Sequence, residues 1–131
     1  MTTPQQRDII QQVFEQSNAG SIHFGQVIQQ LITAQVEAYF VDYRRGESTY
    51  YLSNGDTVRH SFDAQPEIAQ TFDGLQVKAA IIGAQSGKVM YPEFKQLTHA
   101  AGCIGYFVWI SGKKVDYLGR NGEVHTEHFP Q

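Results

Sequence analysis

VEAYFVDYRRGESTYYLSNGDTVRHSF, residues 36–62, decides how this chain folds. Val36 to Tyr43 is dense in β-branched and aromatic residues, Arg44-Arg45-Gly46-Glu47 has the composition of a turn, and Ser48 to Leu52 returns. Ser53-Asn54-Gly55-Asp56 then turns again and Thr57 to Phe62 closes, so the segment predicts a three-stranded antiparallel meander. Asn54-Gly55 is the strongest local signal in it, because both central residues of the favoured tight hairpin turn need positive φ.

The same stretch recurs 67 residues later without a gap. Gly20 to Phe62 lies over Gly87 to Phe129, and 10 of the 43 aligned positions are identical, among them Tyr39-Phe40-Val41 with Tyr106-Phe107-Val108, Tyr50 with Tyr117 and Asn54-Gly55 with Asn121-Gly122. An echo of this kind predicts two copies of one folding unit. Ile104 to Ile110, Val115 to Leu118 and Glu123 to Phe129 are the strands of the second copy.

Each meander is preceded by a helix pair. Thr3, Pro4 and Gln6 have the pattern of a capped helix start, with Ile9, Ile10, Val13 and Phe14 on one face and Gly20 as a stop. Phe24, Val27, Ile28 and Leu31 make one apolar stripe of a second helix, from about Phe24 to Gln35. In the other half, Asp73 with Gln76 caps a helix from Leu75 to Ala84, and Tyr91-Pro92-Glu93-Phe94 starts one that stops near Gly102. The expectation is an α+β fold, an internally duplicated helix-helix-meander unit. Its halves, about 4–62 and 73–129, fuse through a connector at 63–72 that carries Pro66 into one domain spanning 1–131. Whether the six strands make one sheet or two stays open.

A formal net charge of −3 removes the bulk electrostatic footprint of a nucleic-acid binder. With Cys103 as the single cysteine no intramolecular disulfide forms, which fits a reducing compartment. No apolar run reaches membrane-spanning length and the N-terminus lacks a secretory pattern, so the cytoplasm is the expected location.

Asp42-Tyr43-Arg44-Arg45-Gly46-Glu47 and Thr49-Tyr50-Tyr51-Leu52 in the first half carry a resemblance to a known family. So do Tyr91-Pro92-Glu93-Phe94, Ala101-Gly102-Cys103, Gly105-Tyr106, Tyr117-Leu118-Gly119-Arg120 and the tail from Glu123 to Pro130. Over nearly its full length the chain resembles an uncharacterised family of small bacterial and prophage-borne proteins labelled "phage envelope protein". The resemblance implies phage or prophage ancestry and brings no catalytic residue, substrate or cofactor with it.

The densest chemical cluster is His125-Thr126-Glu127-His128. On a strand, His125 and Glu127 share one face and His128 points the other way. The echo lays His60 over Glu127, so His60, His125 and Glu127 are candidates for a metal or acid/base site at the seam between the halves. The simpler reading of the cluster is the polar face of an edge strand. Cys103, with His99 four residues earlier, has the elements of a nucleophile and base, but a lone cysteine at a helix-to-strand junction is more simply a core residue. Arg44, Arg45 and Arg120, with the tyrosines Tyr50 and Tyr117, are candidates for gripping an anionic partner, with Lys113-Lys114 as a second basic tip; charged tips also simply keep turns soluble. Tyr39, Tyr43, Tyr106 and Trp109 alternate with smaller residues, which puts some rings on a face that the helices of their own half need not cover.

These residues read best as a non-enzymatic binding or protein-interaction domain, with another protein or a second copy as partner and nucleic acid and membrane disfavoured. The alternative is a small enzyme or metal-binding protein using the His/Glu set. Cofactor, metal and ligand are left open by the sequence.

Overall fold

The computed structural model describes residues 1–64 and 67–130; Pro66 of the connector lies outside them. The elements run α1 (Pro4–Asn18), α2 (Phe24–Thr33), β1 (Val36–Asp42), β2 (Glu47–Leu52), β3 (Thr57–Ser61), α3 (Gly74–Gln85), α4 (Tyr91–Ala100), β4 (Cys103–Trp109), β5 (Lys114–Gly119) and β6 (Val124–His128). The fold is α+β, and the order helix, helix, three strands occurs twice.

Local chemistry accounts for the boundaries. Thr3 accepts from the Gln6 amide while the Gln6 side chain answers the Thr3 amide, closing the expected capping box ahead of Pro4. Asp73 takes the amides of Leu75 and Gln76 at the start of α3. The Asn-Gly turns depart from expectation. Gly55 has φ +93° and Gly122 φ +84°, but neither asparagine leaves negative φ. Four residues separate β2 from β3 rather than two, and the Asn54 side chain takes the Asp56 amide (2.9 Å), so the asparagine closes the loop through its side chain.

All six strands form one antiparallel sheet in the order β3-β2-β1-β4-β5-β6. The first strands of the two meanders pair in the middle, Phe40 opposite Phe107, so the outer strands are β3 and β6. The run Tyr39-Phe40-Val41 suits a central strand, because both neighbouring edges are occupied and neither alternate face is free for a row of charges. Strand β3, with Arg59 and His60, suits an edge.

One sheet face, carrying Tyr39, Val41, Tyr50, Val58, Tyr106, Val115 and Tyr117, joins the inward stripes of all four helices in a single apolar core. The other face, with Phe40, Tyr51, Phe107 and Trp109, lies outside that core. The halves also lock together across the helical layer. Tyr43, fully buried, follows β1 yet stacks on His99 of α4 at 4.2 Å and hydrogen-bonds Thr98 at 2.8 Å. The Lys95 ammonium of α4 sits 4.0 Å from the Phe62 ring centre and donates to Asn18 at the end of α1.

Candidate functional site

Side chains on a sheet stand roughly perpendicular to it, so the inward tyrosines of the central strands project their hydroxyls toward the helices. Tyr39 and Tyr50 stack at 5.3 Å in the first half, and Tyr106 and Tyr117, in matching places of the second, lie 5.5 Å apart. Above Tyr39, Tyr106 and Tyr117 the helical layer leaves a cavity of about 490 Å³. Its floor is these three rings with Val115 and Phe94; its walls come from Ile22 and Val27, from Ile81 and Ala84 at the end of α3, and from the α3–α4 loop; exposed His23, Phe24 and His128 stand at the rim.

Few polar groups reach this space. Tyr106 donates to the Tyr91 hydroxyl at 2.7 Å. Among the described residues the hydroxyls of Tyr39 and Tyr117 have no hydrogen-bond partner, and both rings are buried. Burial, followed by the neighbouring phenols, pushes the Tyr39 and Tyr106 hydroxyls well above the ordinary tyrosine range, and burial likewise raises Tyr91 and Tyr117. These phenols therefore stay protonated and act as hydrogen-bonding groups rather than bases.

Among the described residues Glu127 supplies the one carboxylate of the cavity wall. Burial works to raise its pKa, but hydrogen bonds from Lys78 (2.6 Å) and His125 (3.1 Å) outweigh this and hold it below the usual range. His125 and Glu127 are thus together, as their shared strand face predicts. His60 is not with them: it lies on β3, at the opposite edge of the sheet, stacked on Phe14 at 5.1 Å. The echo places His60 and Glu127 in corresponding positions, and pairing β1 with β4 sends corresponding outer strands to opposite edges. A His60–His125–Glu127 site at the seam is accordingly not assembled, and among the described residues no group of three or more His, Cys, Asp or Glu side chains is placed to hold a metal ion.

The basic candidates are dispersed for the same reason. Arg44 and Arg45 cap the β1–β2 hairpin, with Arg45 3.4 Å from Glu47, while Lys113-Lys114 cap β4–β5. Since β1 and β4 are antiparallel, the two tips lie at opposite ends of the sheet and make no common grip. Arg120 has a structural task, donating to the carbonyls of Ile68 (2.8 Å) and Ala69 (3.4 Å) and so fastening the connector. Tyr50 is packed in the core, and Tyr117 alone of these five candidates reaches the cavity. Cys103 is fully buried, gives its S–H to the Gly105 carbonyl, and is pushed by burial up to about 11, which suits a core residue and not a thiolate nucleophile. Tyr39, Tyr91 and Phe94 also line the cavity; the recurrence of Tyr39 as Tyr106 in the two meanders is a sequence signal for the first, whereas Tyr91 and Phe94 come from α4 and carry no such signal.

His60 and His99 each bury a ring nitrogen, Nε2, without a partner among the described residues. Burial lowers both pKa values. The unfolded chain takes up these protons near pH 6.5 and the folded one only lower, so their stability is complete above about pH 6.5 and is lost as pH falls toward the depressed values. Urea midpoints are expected to drop as pH falls from 7 to 5. His99→Phe, which keeps the stack on Tyr43, should flatten part of that slope; a slope unchanged in this variant would mean another group titrates.

A family model described as protein of unknown function (DUF1398) matches residues 5–128 of the chain. No curated protein matches it.

Proposed function

We propose, for a chain that belongs to the DUF1398 family of unknown function, that it is a binding domain holding one small, largely apolar molecule between the sheet and the helices. The observation that carries this is the cavity of about 490 Å³ with an apolar floor and two phenol hydroxyls, on Tyr39 and Tyr117, without partners among the described residues. Its volume lies in the range of small-molecule sites, and apolar walls with a few convergent polar groups are their usual make-up. A hydroxyl at the floor with no protein partner is free to bond a ligand that supplies an acceptor or donor there.

At the floor and wall of the cavity, binding is favoured over acid/base catalysis by the state of the phenols and of Glu127. The phenols hold their protons, and Glu127 is already committed to Lys78 and His125. Neither is poised near neutrality, where a general acid or base works best. No helix among the described residues is long and apolar enough to cross a membrane, and the cavity would serve a phage-borne or a host-borne gene alike.

A neutral fluorophore with a fused aromatic body, phenylnaphthylamine, tests the reading. Saturable one-to-one binding with a blue-shifted emission is expected. Ala84→Trp, which fills the cavity from α3, should weaken it at least about tenfold, the loss expected when roughly two buried methylene equivalents of contact are excluded. Binding that does not saturate, or that Ala84→Trp leaves unchanged, would remove the proposal.

A further inference from the structure

We infer that the sheet face turned away from the helices is a docking surface for a second copy of this chain, joined by a two-fold axis parallel to the strands. The face carries an aromatic cluster. Phe107 stacks on Trp109 at 4.1 Å and on Tyr51 at 5.9 Å, and Phe40 lies 5.6 Å from Phe107 across the β1–β4 pairing. Trp109 is 37% exposed in the monomer, yet it is not loose: its indole N–H donates to Asp116 at 3.0 Å, and Asp116 also accepts from Thr126 at 2.7 Å. Aromatic rings fixed before association lose little freedom on docking, which favours a lasting interface.

The registers identify the occupant. Read straight across the sheet, one row on this face runs Arg59, Thr49, Phe40, Phe107, Asp116, Thr126. The row is centred on the two phenylalanines, with a cation toward one edge and a carboxylate toward the other. Arg59 makes no ion pair among the described residues. Turning a second copy about an axis parallel to the strands lays Phe40 on the other copy's Phe107 and brings each Arg59 toward the opposing Asp116 and Thr126. In the adjacent row Trp109 pairs with Ala38, and the same rotation sets the large indole against the small alanine of the other copy. An axis perpendicular to the strands would instead oppose Arg59 to Arg59 and Asp116 to Asp116. The face is thus complementary to itself in charge and size in one orientation, as an isologous interface requires. A single-stranded nucleic acid would also stack on exposed rings, but a chain of net charge −3 with a carboxylate beside the indole opposes a phosphate backbone.

Sedimentation equilibrium of the full chain at micromolar concentration should give about twice the 14.7 kDa chain mass. Trp109→Ala should weaken association at least about 30-fold, as for the central aromatic of an interface. Arg59→Asp should weaken it about tenfold, and the exchanged pair Arg59→Asp with Asp116→Arg should recover part of the loss, since the cross-interface attraction returns with its signs reversed. Far-UV circular dichroism confirms that each variant is folded. A monomer at all concentrations, a dimer indifferent to Trp109→Ala, or an exchanged pair no better than Arg59→Asp alone would overturn the inference. So would a monomer whose Trp109 fluorescence is quenched by oligothymidine, which would give the face to nucleic acid.

Discussion

Gly102→Ala is expected to destabilise the protein by about 4 kcal/mol, most of the stability of a marginal domain. Gly102 follows the end of α4 with φ +81°, a left-handed conformation that costs any residue with a Cβ about 1 kcal/mol. The larger part is steric. A Cβ there would press into the carbonyl group of Thr71 and stand 2.9 Å from the Phe72 Cα, and these are backbone atoms that cannot swing aside. The connector is held in place by the Asp73 amide on the Ala101 carbonyl, the Ala69 amide on the His99 carbonyl and the Arg120 clamp, so relief of the clash means losing these bonds. Gly55→Ala is the control: its φ is +93° but nothing lies within 4 Å, so about 1 kcal/mol is expected. Equal urea midpoints for the two variants would show that the connector yields. In the first half, Gln35 at φ +64° occupies the place that the echo aligns with Gly102.

Tyr43→Ala is expected to cost a similar amount, about 4 kcal/mol, through loss of a fully buried ring and the void it leaves. Tyr43→Phe separates the ring from the hydroxyl. Thr98 keeps its own bonds to the Phe94 and Lys95 carbonyls when Tyr43 loses its hydroxyl, so this variant should lose only about 1 kcal/mol. The difference has a structural meaning: Tyr43 belongs to the first half but is clamped under α4, against His99 and edge-on to Tyr106 at 5.9 Å. Its removal loosens the floor of the tyrosine cavity as well as the seam, and the phenylnaphthylamine affinity of Tyr43→Ala should fall with its stability while that of Tyr43→Phe stays near wild type. Comparable losses for Ala and Phe would mean that the hydroxyl, not the ring, carries the contact.

The element order was legible residue by residue. Thr3-Pro4 with Gln6, Asp73, and the glycines after α1, α3 and α4 act within a turn or two of themselves, and the strands announce themselves through alternation and β-branched or aromatic runs. The two Asn-Gly turns lie where the sequence puts them but are four-residue loops closed by a side chain, Asn54 Oδ1 on the Asp56 amide in the first and Glu123 Oε1 on the Asn121 amide in the second, and neither asparagine takes a positive φ. The candidate site was legible only in part. Tyr117 and Glu127 do line the cavity, but the sequence gives no way to see that α2, α3, the α3–α4 loop and strands β1, β4, β5 and β6 enclose a space between them.

What the sequence determined by itself is therefore everything set by short-range geometry: two helix-helix-meander units, their caps, and which residues alternate inward along each strand. The partner of each strand edge depends on long-range packing. A three-stranded meander has two open edges, and local propensity is nearly silent on which one will be used, since backbone hydrogen bonds are the same at both. Burial chose β1 and β4, whose apolar runs gain most from a central position, and antiparallel pairing there fixed the rest. It carried His60 and Glu127 to opposite edges, sent the basic tips to opposite ends, gathered Tyr39, Tyr106 and Tyr117 over one floor, and turned Phe40, Phe107 and Trp109 outward together.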